Sequence, residues 1–311
     1  MIVLEGVTKL YGLVIGVNDI STSLSAGAYG LLGPNGSGKT TLLNLLTGQL
    51  RPTIGHLRVL GEDPFNNAAL FRRMGVCPAV ETLYLNISGL EWVRYLTELH
   101  GFSRSDAGSR AEAALDRVGM REGMHRAMSE YSRGMRQRTK VAQAIAHDPD
   151  LLILDEPFNG LDPVGRHELT EALRGWVREG KSLLLASHVL HEVEAVTQSF
   201  MLISGGRLLA SGSSDEVQEL LADVPNEIRI RCDRADSLAE RLLAEPVIDS
   251  VRFEDGRGVI VISTRSAAAV YTNLPQWSAD ADARIVELHS ANESLDALFS
   301  ALMRIHRGEL V

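Results

Sequence analysis

The sequence is poor in cysteine and aromatic residues, and it contains no long apolar run. Its 311 residues include only two cysteines, Cys77 and Cys232, which are too few for a disulfide scaffold or a four-cysteine zinc site. The hydrophobic fraction of 45% and the charged fraction of 23% are those of a globular chain and exclude a disordered or fibrous one. The length predicts roughly two domains of about 150 residues each.

The composition also shows no excess of basic residues. The formal net charge is −9 at pH 7, whereas proteins that bind duplex nucleic acid usually present a basic footprint, so we expect no nucleic-acid partner. No window approaches the roughly 18 uninterrupted apolar residues that would span a bilayer, and residues 1–6 contain no cationic or apolar signal segment. We therefore expect a cytoplasmic chain that reaches a membrane only through a partner.

The order of the apolar runs predicts an α/β fold. Residues 2–32 contain short strands, and the uninterrupted apolar runs 151–154 and 182–186 are typical of parallel strands buried on both faces. Residues 66–147 are mainly apolar at helical spacing. These patterns together predict a parallel-rich sheet that carries a helical subdomain.

A second, smaller domain follows a change in composition at residues 223–226. Beyond this point residues 227–231 alternate like a strand, and residues 293–303 have the pattern of an amphipathic helix. We therefore assign residues 1–222 to the first domain and residues 226–311 to an α+β domain.

A glycine-rich loop lies between a predicted strand and a predicted helix, and it matches the phosphate-binding pattern G-x-x-x-x-G-K-[ST] in full. The loop and the helix residue after it are Gly33, Pro34, Asn35, Gly36, Ser37, Gly38, Lys39, Thr40 and Thr41. Glycines let backbone N–H groups surround phosphate oxygens, and the helix directs its positive end at the same anion. Lys39 would neutralise phosphate charge and the Thr40 hydroxyl would bind Mg²⁺. A chance glycine-rich turn is the alternative, but the chain has only four lysines to complete such a match.

Two carboxylates follow the apolar run 151–154. They are Asp155 and Glu156, and Pro157 comes next. Ligands bind at the carboxyl ends of parallel strands in open α/β sheets. We expect Asp155 to hold Mg²⁺ and Glu156 to polarise the water that attacks a phosphate. The alternative is that one carboxylate only caps the turn imposed by Pro157, but the complete phosphate loop favours catalysis.

Residues 131–138 narrow the class of nucleotide-binding protein. They read Tyr-Ser-Arg-Gly-Met-Arg-Gln-Arg and resemble the signature of ATP-binding cassette (ABC) proteins, whose usual form is Leu-Ser-Gly-Gly-Gln. Gly134 lies 21 residues before Asp155, which fits that family. A GTPase would need Asn-Lys-x-Asp for guanine specificity, and none of the four lysines lies in that setting.

One further segment and two single residues resemble motifs of the same family, and they occur in family order. Residues 160–163, Gly-Leu-Asp-Pro, resemble the D-loop, and His188 resembles the switch histidine. Tyr11 stands where the family stacks an aromatic ring on adenine, although a lone tyrosine is more often packed against its neighbours. The resemblance covers residues 1–220 continuously.

The resemblance implies roles at matching positions. Ser132 and Gly134 would contact the γ-phosphate bound by a second subunit, and Met135 holds the place of the signature glutamine. Asp162 would couple the two sites, and His188 would hydrogen-bond the γ-phosphate and the attacking water. Ser132 is also a suitable N-cap, and Asp162 a suitable turn residue.

One position departs from the family pattern. The family places a glutamine after a strand and near a proline, where it reaches Mg²⁺ and senses the membrane partner. Ala79 holds that place here and cannot bind a metal ion through its side chain. Glu81 is the nearby carboxylate that we name as a substitute ligand.

The resemblance implies a Mg²⁺-dependent ATPase subunit of an ABC transporter, of the exporter class. A complete site would need a second copy of the cassette or a paired cassette, and transport would need a separate transmembrane permease holding the chain at the inner face of the membrane. Residues 292–299 resemble the closing helix of an accessory domain in type-two exporters, or form an ordinary amphipathic helix. The alternatives are a non-transport cassette ATPase acting on nucleic acid or ribosomes, and a monomeric P-loop kinase.

Overall fold

A computed structural model of the chain describes residues 1–80, 83–213, 216, 226–254 and 258–290. The chain divides into two units, Met1–Ser214 and Asp215–Val311. Within the described ranges, no helix has both the length and the hydropathy needed to cross a membrane.

The first unit alternates strands and helices. Its strands are β1 (Ile2–Tyr11), β2 (Val14–Leu24), β3 (Ala28–Leu32), β4 (Ile54–Val59), β5 (Met74–Cys77), β6 (Leu151–Asp155), β7 (Ser182–Ser187), β8 (Ser199–Ser204) and β9 (Arg207–Ser213). Its helices are α1 (Lys39–Leu46), α2 (Ala68–Phe71), α3 (Gly89–Leu99), α4 (Arg104–Arg117), α5 (Arg133–Ile145), α6 (Pro163–Arg178) and α7 (Leu190–Glu194), with a 3₁₀ turn at Met128–Glu130.

Two sheets organise this unit. The larger one has the order β5-β6-β7-β3-β8-β9, in which the first five strands are parallel and β9 is antiparallel. The predicted parallel-rich α/β fold is therefore confirmed. The smaller sheet is antiparallel with the order β2-β1-β4, and the sequence pattern did not predict it as a separate sheet.

The uninterrupted apolar runs form strands β6 and β7, and both faces of these strands are buried. Leu151 and Ile153 of β6 belong to one core cluster with Leu42 and Leu46 of α1. The alternate residues of β6 are also fully buried, so the strand has no polar face. This burial fixes the end of β6 beside the start of α1.

The helical part lies between β5 and β6. Helix α3 begins with a capping box formed by Ser88 and Glu91, and Ser103 caps α4. The interval 66–147 also contains β5, which pairs with β6 in the larger sheet. Strand β5 has only four residues, one of them a glycine. So short a run cannot be distinguished by its hydrophobic periodicity from the helices around it.

The second unit contains β10 (Asn226–Cys232), α8 (Ala235–Leu243), β11 (Ser250–Phe253), β12 (Val259–Thr264), α9 (Ala267–Asp280) and β13 (Ile285–Ser290). Its antiparallel sheet has the order β11-β12-β10-β13, and this βαββαβ arrangement is the split βαβ type. Ile230 and Ile262 pack with Leu238 and Leu274 in its core. The predicted helix 293–303 and the motif 292–299 lie outside the described residues.

Candidate functional site

The glycine-rich loop connects β3 to α1 in a conformation that needs glycine. Gly38 has φ 105° at the N-cap of α1, and a Cβ there would lie 2.5 Å from the carbonyl oxygen of Gly16. A Cβ on Gly33 would lie 2.4 Å from the carbonyl oxygen of Ile203. The loop is also held by Gly206, whose N–H donates to the carbonyl of Ser37 at 2.8 Å. The backbone is therefore packed too closely for side chains at these glycines.

Two polar side chains of the loop fit an anionic ligand. Lys39 is buried, and its Nζ donates to the carbonyl oxygens of Gly33 at 2.6 Å and Pro34 at 3.2 Å. Burial lowers the pKa of Lys39, while the nearby Glu156 and Asp155 oppose that shift. Ser37 Oγ is buried without a hydrogen-bond partner in the described part of the chain.

Thr40 and Asp155 form an oxygen-rich pair at the end of β6. The Thr40 hydroxyl donates to Asp155 Oδ2 at 3.3 Å, and Asp155 is only 6% exposed. Burial raises the pKa of Asp155, as does the neighbouring Glu156, whereas the bond from Thr40 and the charges of Lys39 and Lys140 lower it. A hydroxyl and a carboxylate are hard oxygen donors, so this pair fits Mg²⁺.

Glu156 and His188 meet beside this pair. His188 Nδ1 lies 2.9 Å from both carboxylate oxygens of Glu156. Glu156 has φ 51°, a left-handed conformation that non-glycine residues rarely adopt and that clusters at functional sites. Its N–H donates to the carbonyl of Ala186 at 2.9 Å, which ties the turn to β7. The pair joins a proton acceptor to a group that can orient it.

These residues surround a cavity of about 400 Å³, which we call the phosphate-loop cavity. Its lining includes the predicted site residues Tyr11, Asn35, Gly36, Gly38, Lys39, Thr40, Thr41, Asp155 and Glu156. Val14, Ile15 and Gly16 line it as well and were missed in the sequence. The sequence signal that could have found them is the apolar pair Val14 and Ile15, which closely follows Tyr11. Both side chains are exposed in the structure. The structure therefore brings the aromatic, phosphate-binding and acidic positions to one cavity.

The signature and D-loop positions line a different cavity, of about 530 Å³, which we call the signature cavity. Among the described residues it shares none with the phosphate-loop cavity. Ser132, Gly134, Met135 and Asp162 all line it. Ser132 caps α5 through the N–H of Met135 at 3.2 Å, and Asp162 caps α6 through that of Gly165 at 2.8 Å. Both side chains therefore make the capping contacts, and their family roles stay predictions.

Ala79 lines the phosphate-loop cavity, where the family glutamine was expected. Its carbonyl oxygen accepts a hydrogen bond from Lys140 Nζ at 3.2 Å. Glu81, the suggested substitute ligand, lies outside the described residues.

The fold and the two cavities define a P-loop nucleotide-binding cassette, and the similarity to known sequences agrees. The sequence model of the family described as "ABC transporter" matches residues 17–159. The Nod factor export ATP-binding protein I of Cupriavidus pinatubonensis is 38% identical over 216 residues, which are 69% of this chain and 66% of that protein. The daunorubicin/doxorubicin resistance ATP-binding protein DrrA of Streptomyces peucetius is 33% identical over 268 residues, covering 81% of each chain. The chain thus spans slightly less than two thirds of the first of these relatives and about four fifths of the second.

Solved structures agree with this similarity. An ATP binding subunit of an ABC transporter has a TM-score of 0.65 at 25% identity and matches 71% of this chain and 93% of its own. A dimeric ATP-binding cassette in a post-hydrolysis state has a TM-score of 0.64 over 68% of this chain and 98% of its own, and its 19% identity shows the fold alone. The chain belongs to the ABC transporter family as one of its ATP-binding subunits.

Proposed function

We propose that this subunit hydrolyses ATP to ADP and phosphate and thereby powers export through a separate membrane protein. The observation that carries the proposal is the position of Glu156. Its carboxylate lines the phosphate-loop cavity and is hydrogen-bonded to His188 at 2.9 Å. A carboxylate oriented in this way beside the phosphate loop can accept a proton from an attacking water.

Different residues of the phosphate-loop cavity bind the nucleotide and carry out its hydrolysis. Tyr11 stacks on the adenine, and Lys39 neutralises phosphate charge together with backbone N–H groups at the start of α1. Glu156 takes the proton from water, and His188 holds that carboxylate through Nδ1, which leaves its Nε2 edge for the γ-phosphate. This division agrees with the burial of Lys39 and with the exposure of the Tyr11 ring.

Thr40 and Asp155 would hold Mg²⁺ in this site. The ion, when bound, neutralises negative charge on the phosphate oxygens. Asp155 is nearly buried and within hydrogen-bond distance of Thr40, which places both oxygens next to the first turn of α1. Glu81 is the candidate for a further oxygen ligand, in place of the glutamine that Ala79 replaces.

A complete site requires a second cassette, either another copy of this chain or a paired cassette. Ser132, Gly134 and Met135 would cover the nucleotide bound by the other cassette, and Asp162 would couple the two sites. The separation of the signature cavity from the phosphate-loop cavity supports this arrangement, because one chain does not bring both sets of groups to one ligand.

The relatives suggest a membrane partner and a class of cargo. Their names describe export of Nod factor, resistance to daunorubicin and doxorubicin, and transport of bacitracin. We infer that residues 1–222 form the cassette, that 226–311 form an accessory domain, and that a permease holds both at the cytoplasmic face of the membrane. The cargo would be an amphipathic small molecule recognised by the permease, and nucleic acid would not be a partner.

The test is ATP-dependent transport by the subunit purified together with its membrane partner. Inside-out vesicles containing both proteins should accumulate a fluorescent amphipathic drug in the presence of ATP and Mg²⁺. The Glu156→Gln variant should abolish accumulation, and the exposed Glu179→Gln should not. ATPase activity stimulated by RNA or ribosomes, with no membrane protein co-purifying, would instead support the non-transport alternative.

A further inference from the structure

Lys140 is a buried lysine on α5 that forms no ion pair with a carboxylate in the described part of the chain. It is 2% exposed, and its Nζ donates to the carbonyl oxygen of Ala79 and to Gln137 Oε1, both at 3.2 Å. Lysine is almost never fully buried unless it is paired, because removing its charge from water is costly. Its charge is close enough to Asp155 to lower the pKa of that carboxyl, but its hydrogen bonds go to two neutral oxygens, and this arrangement needs an explanation.

Gln137 extends this contact to the catalytic end of β6. It lies three residues before Lys140, hence on the same face of α5. Its Nε2 donates to the carbonyl oxygen of Glu156 at 3.4 Å. A chain of hydrogen bonds thus runs from the Ala79 carbonyl through Lys140 and Gln137 to the Glu156 carbonyl. It joins two backbone segments that both line the phosphate-loop cavity.

The two ends of this chain are positions that need external support. Glu156 has φ 51°, a conformation that persists only where surrounding groups hold it. Ala79 has no polar side-chain atom, so a neighbour can hold it by hydrogen bonds only through its main chain. Lys140 supplies that bond for Ala79, and Gln137 supplies one for Glu156.

We propose that Lys140 is a positioning residue for ATP hydrolysis: it holds the main chain of Ala79 and, through Gln137, that of Glu156 against the phosphate-loop cavity. The inference rests on the proposed ATPase function, because the position being held is that of Glu156. Since Ser132 caps α5 and Gly134 and Met135 lie in its first turn, the same helix carries the signature residues at one end and this support further along. A shift of α5 would therefore reach both backbone segments at once.

Lys140→Met tests the role, because methionine has a similar length and lacks the ammonium group. We expect kcat for ATP to fall by about tenfold while the ATP dissociation constant, measured by calorimetry, changes by less than about twofold. Thr139→Val is the matched control: Thr139 is buried on the same helix, but its hydroxyl donates to the Met135 carbonyl. That variant should keep wild-type kcat.

Gln137→Leu provides an independent test that leaves the lysine in place. If Lys140 acts through Gln137, the double variant should be no slower than the slower single variant, since both interrupt the same path. Hydrogen exchange of residues 74–80 should accelerate in Lys140→Met and not in Thr139→Val. Wild-type kcat in Lys140→Met, or losses that multiply in the double variant, would overturn the role of Lys140. An inactive wild-type protein would instead overturn the proposed ATPase function.

Discussion

Glu156 and His188 lie 32 residues apart in the sequence, yet their side chains are joined at 2.9 Å. They meet because β6 and β7 are neighbouring parallel strands, with Asp155 in register with Ala186. The residues that follow two such strands emerge at the same edge of the sheet. The contact between the two residues that we propose to be catalytic is therefore a product of the strand order.

Replacing Glu156 by glutamine should stop turnover without preventing binding. The amide keeps the size of the side chain but cannot accept a proton from water, so we expect kcat to fall by at least about a hundredfold. In the presence of ATP the variant should then accumulate as a cassette dimer, which gel filtration detects. Glu179→Gln, at an exposed pair with Arg117, is the control. Normal turnover in Glu156→Gln would exclude Glu156 from catalysis.

Lys39→Ala should weaken ATP binding. The buried ammonium group donates to two loop carbonyls, and its loss leaves phosphate charge without this partner, so we expect the dissociation constant to rise by about tenfold or more. Calorimetry measures this directly. Lys181→Ala removes an equal charge from an ion pair with Asp148 and should leave affinity unchanged. Equal affinities of the wild type and Lys39→Ala would contradict the assignment of the phosphate loop.

Removal of residues 226–311 should leave nucleotide binding intact. Every residue of the phosphate-loop cavity lies within Met1–Ser214, which has its own core cluster. The shortened chain should bind ATP with the affinity of the full chain, and we expect weaker dimerisation or weaker assembly with the membrane partner. A shortened chain that folds, judged by circular dichroism, but does not bind ATP would show that the domain boundary is wrong.

His147 should make the protein less stable in mild acid. Burial, followed by the charge of His100, lowers the pKa of His147 to about 4, whereas an unfolded histidine titrates near 6.5. Between these values the unfolded chain binds the extra proton, so stability is complete above about pH 6.5 and is lost as the pH falls toward 4.

Chemical unfolding should measure this effect of His147. We expect the free energy of unfolding to fall by about 2 kcal/mol between pH 7 and pH 5. The His147→Gln variant can still donate to the Met74 carbonyl, which His147 Nε2 contacts at 3.2 Å, and should lose less over the same range. Identical pH dependence in the two proteins would show that His147 does not titrate in this way.

Much of the fold was predictable because its signals are local. A buried parallel strand appears as an uninterrupted apolar run, and a strand, a phosphate loop and a helix stand next to one another in the sequence. The β2-β1-β4 sheet was not predicted, because β1 pairs Ile2 with Val59 and its registers shift at several places. Strand β13 was also missed: its pattern is short, and its partner β10 lies more than fifty residues earlier.

The sequence alone identified the residues that we propose to carry the chemistry: Lys39, Thr40, Asp155 and Glu156 follow from residue type and spacing. The tertiary structure decided which of them meet. The contact of His188 with Glu156 and the path from Ala79 through Lys140 to Glu156 depend on strand order and on the packing of α5, which no local pattern encodes. Such contacts form only when segments distant in the chain bury their apolar faces together, because only that burial offsets the entropy lost in closing the long loops between them.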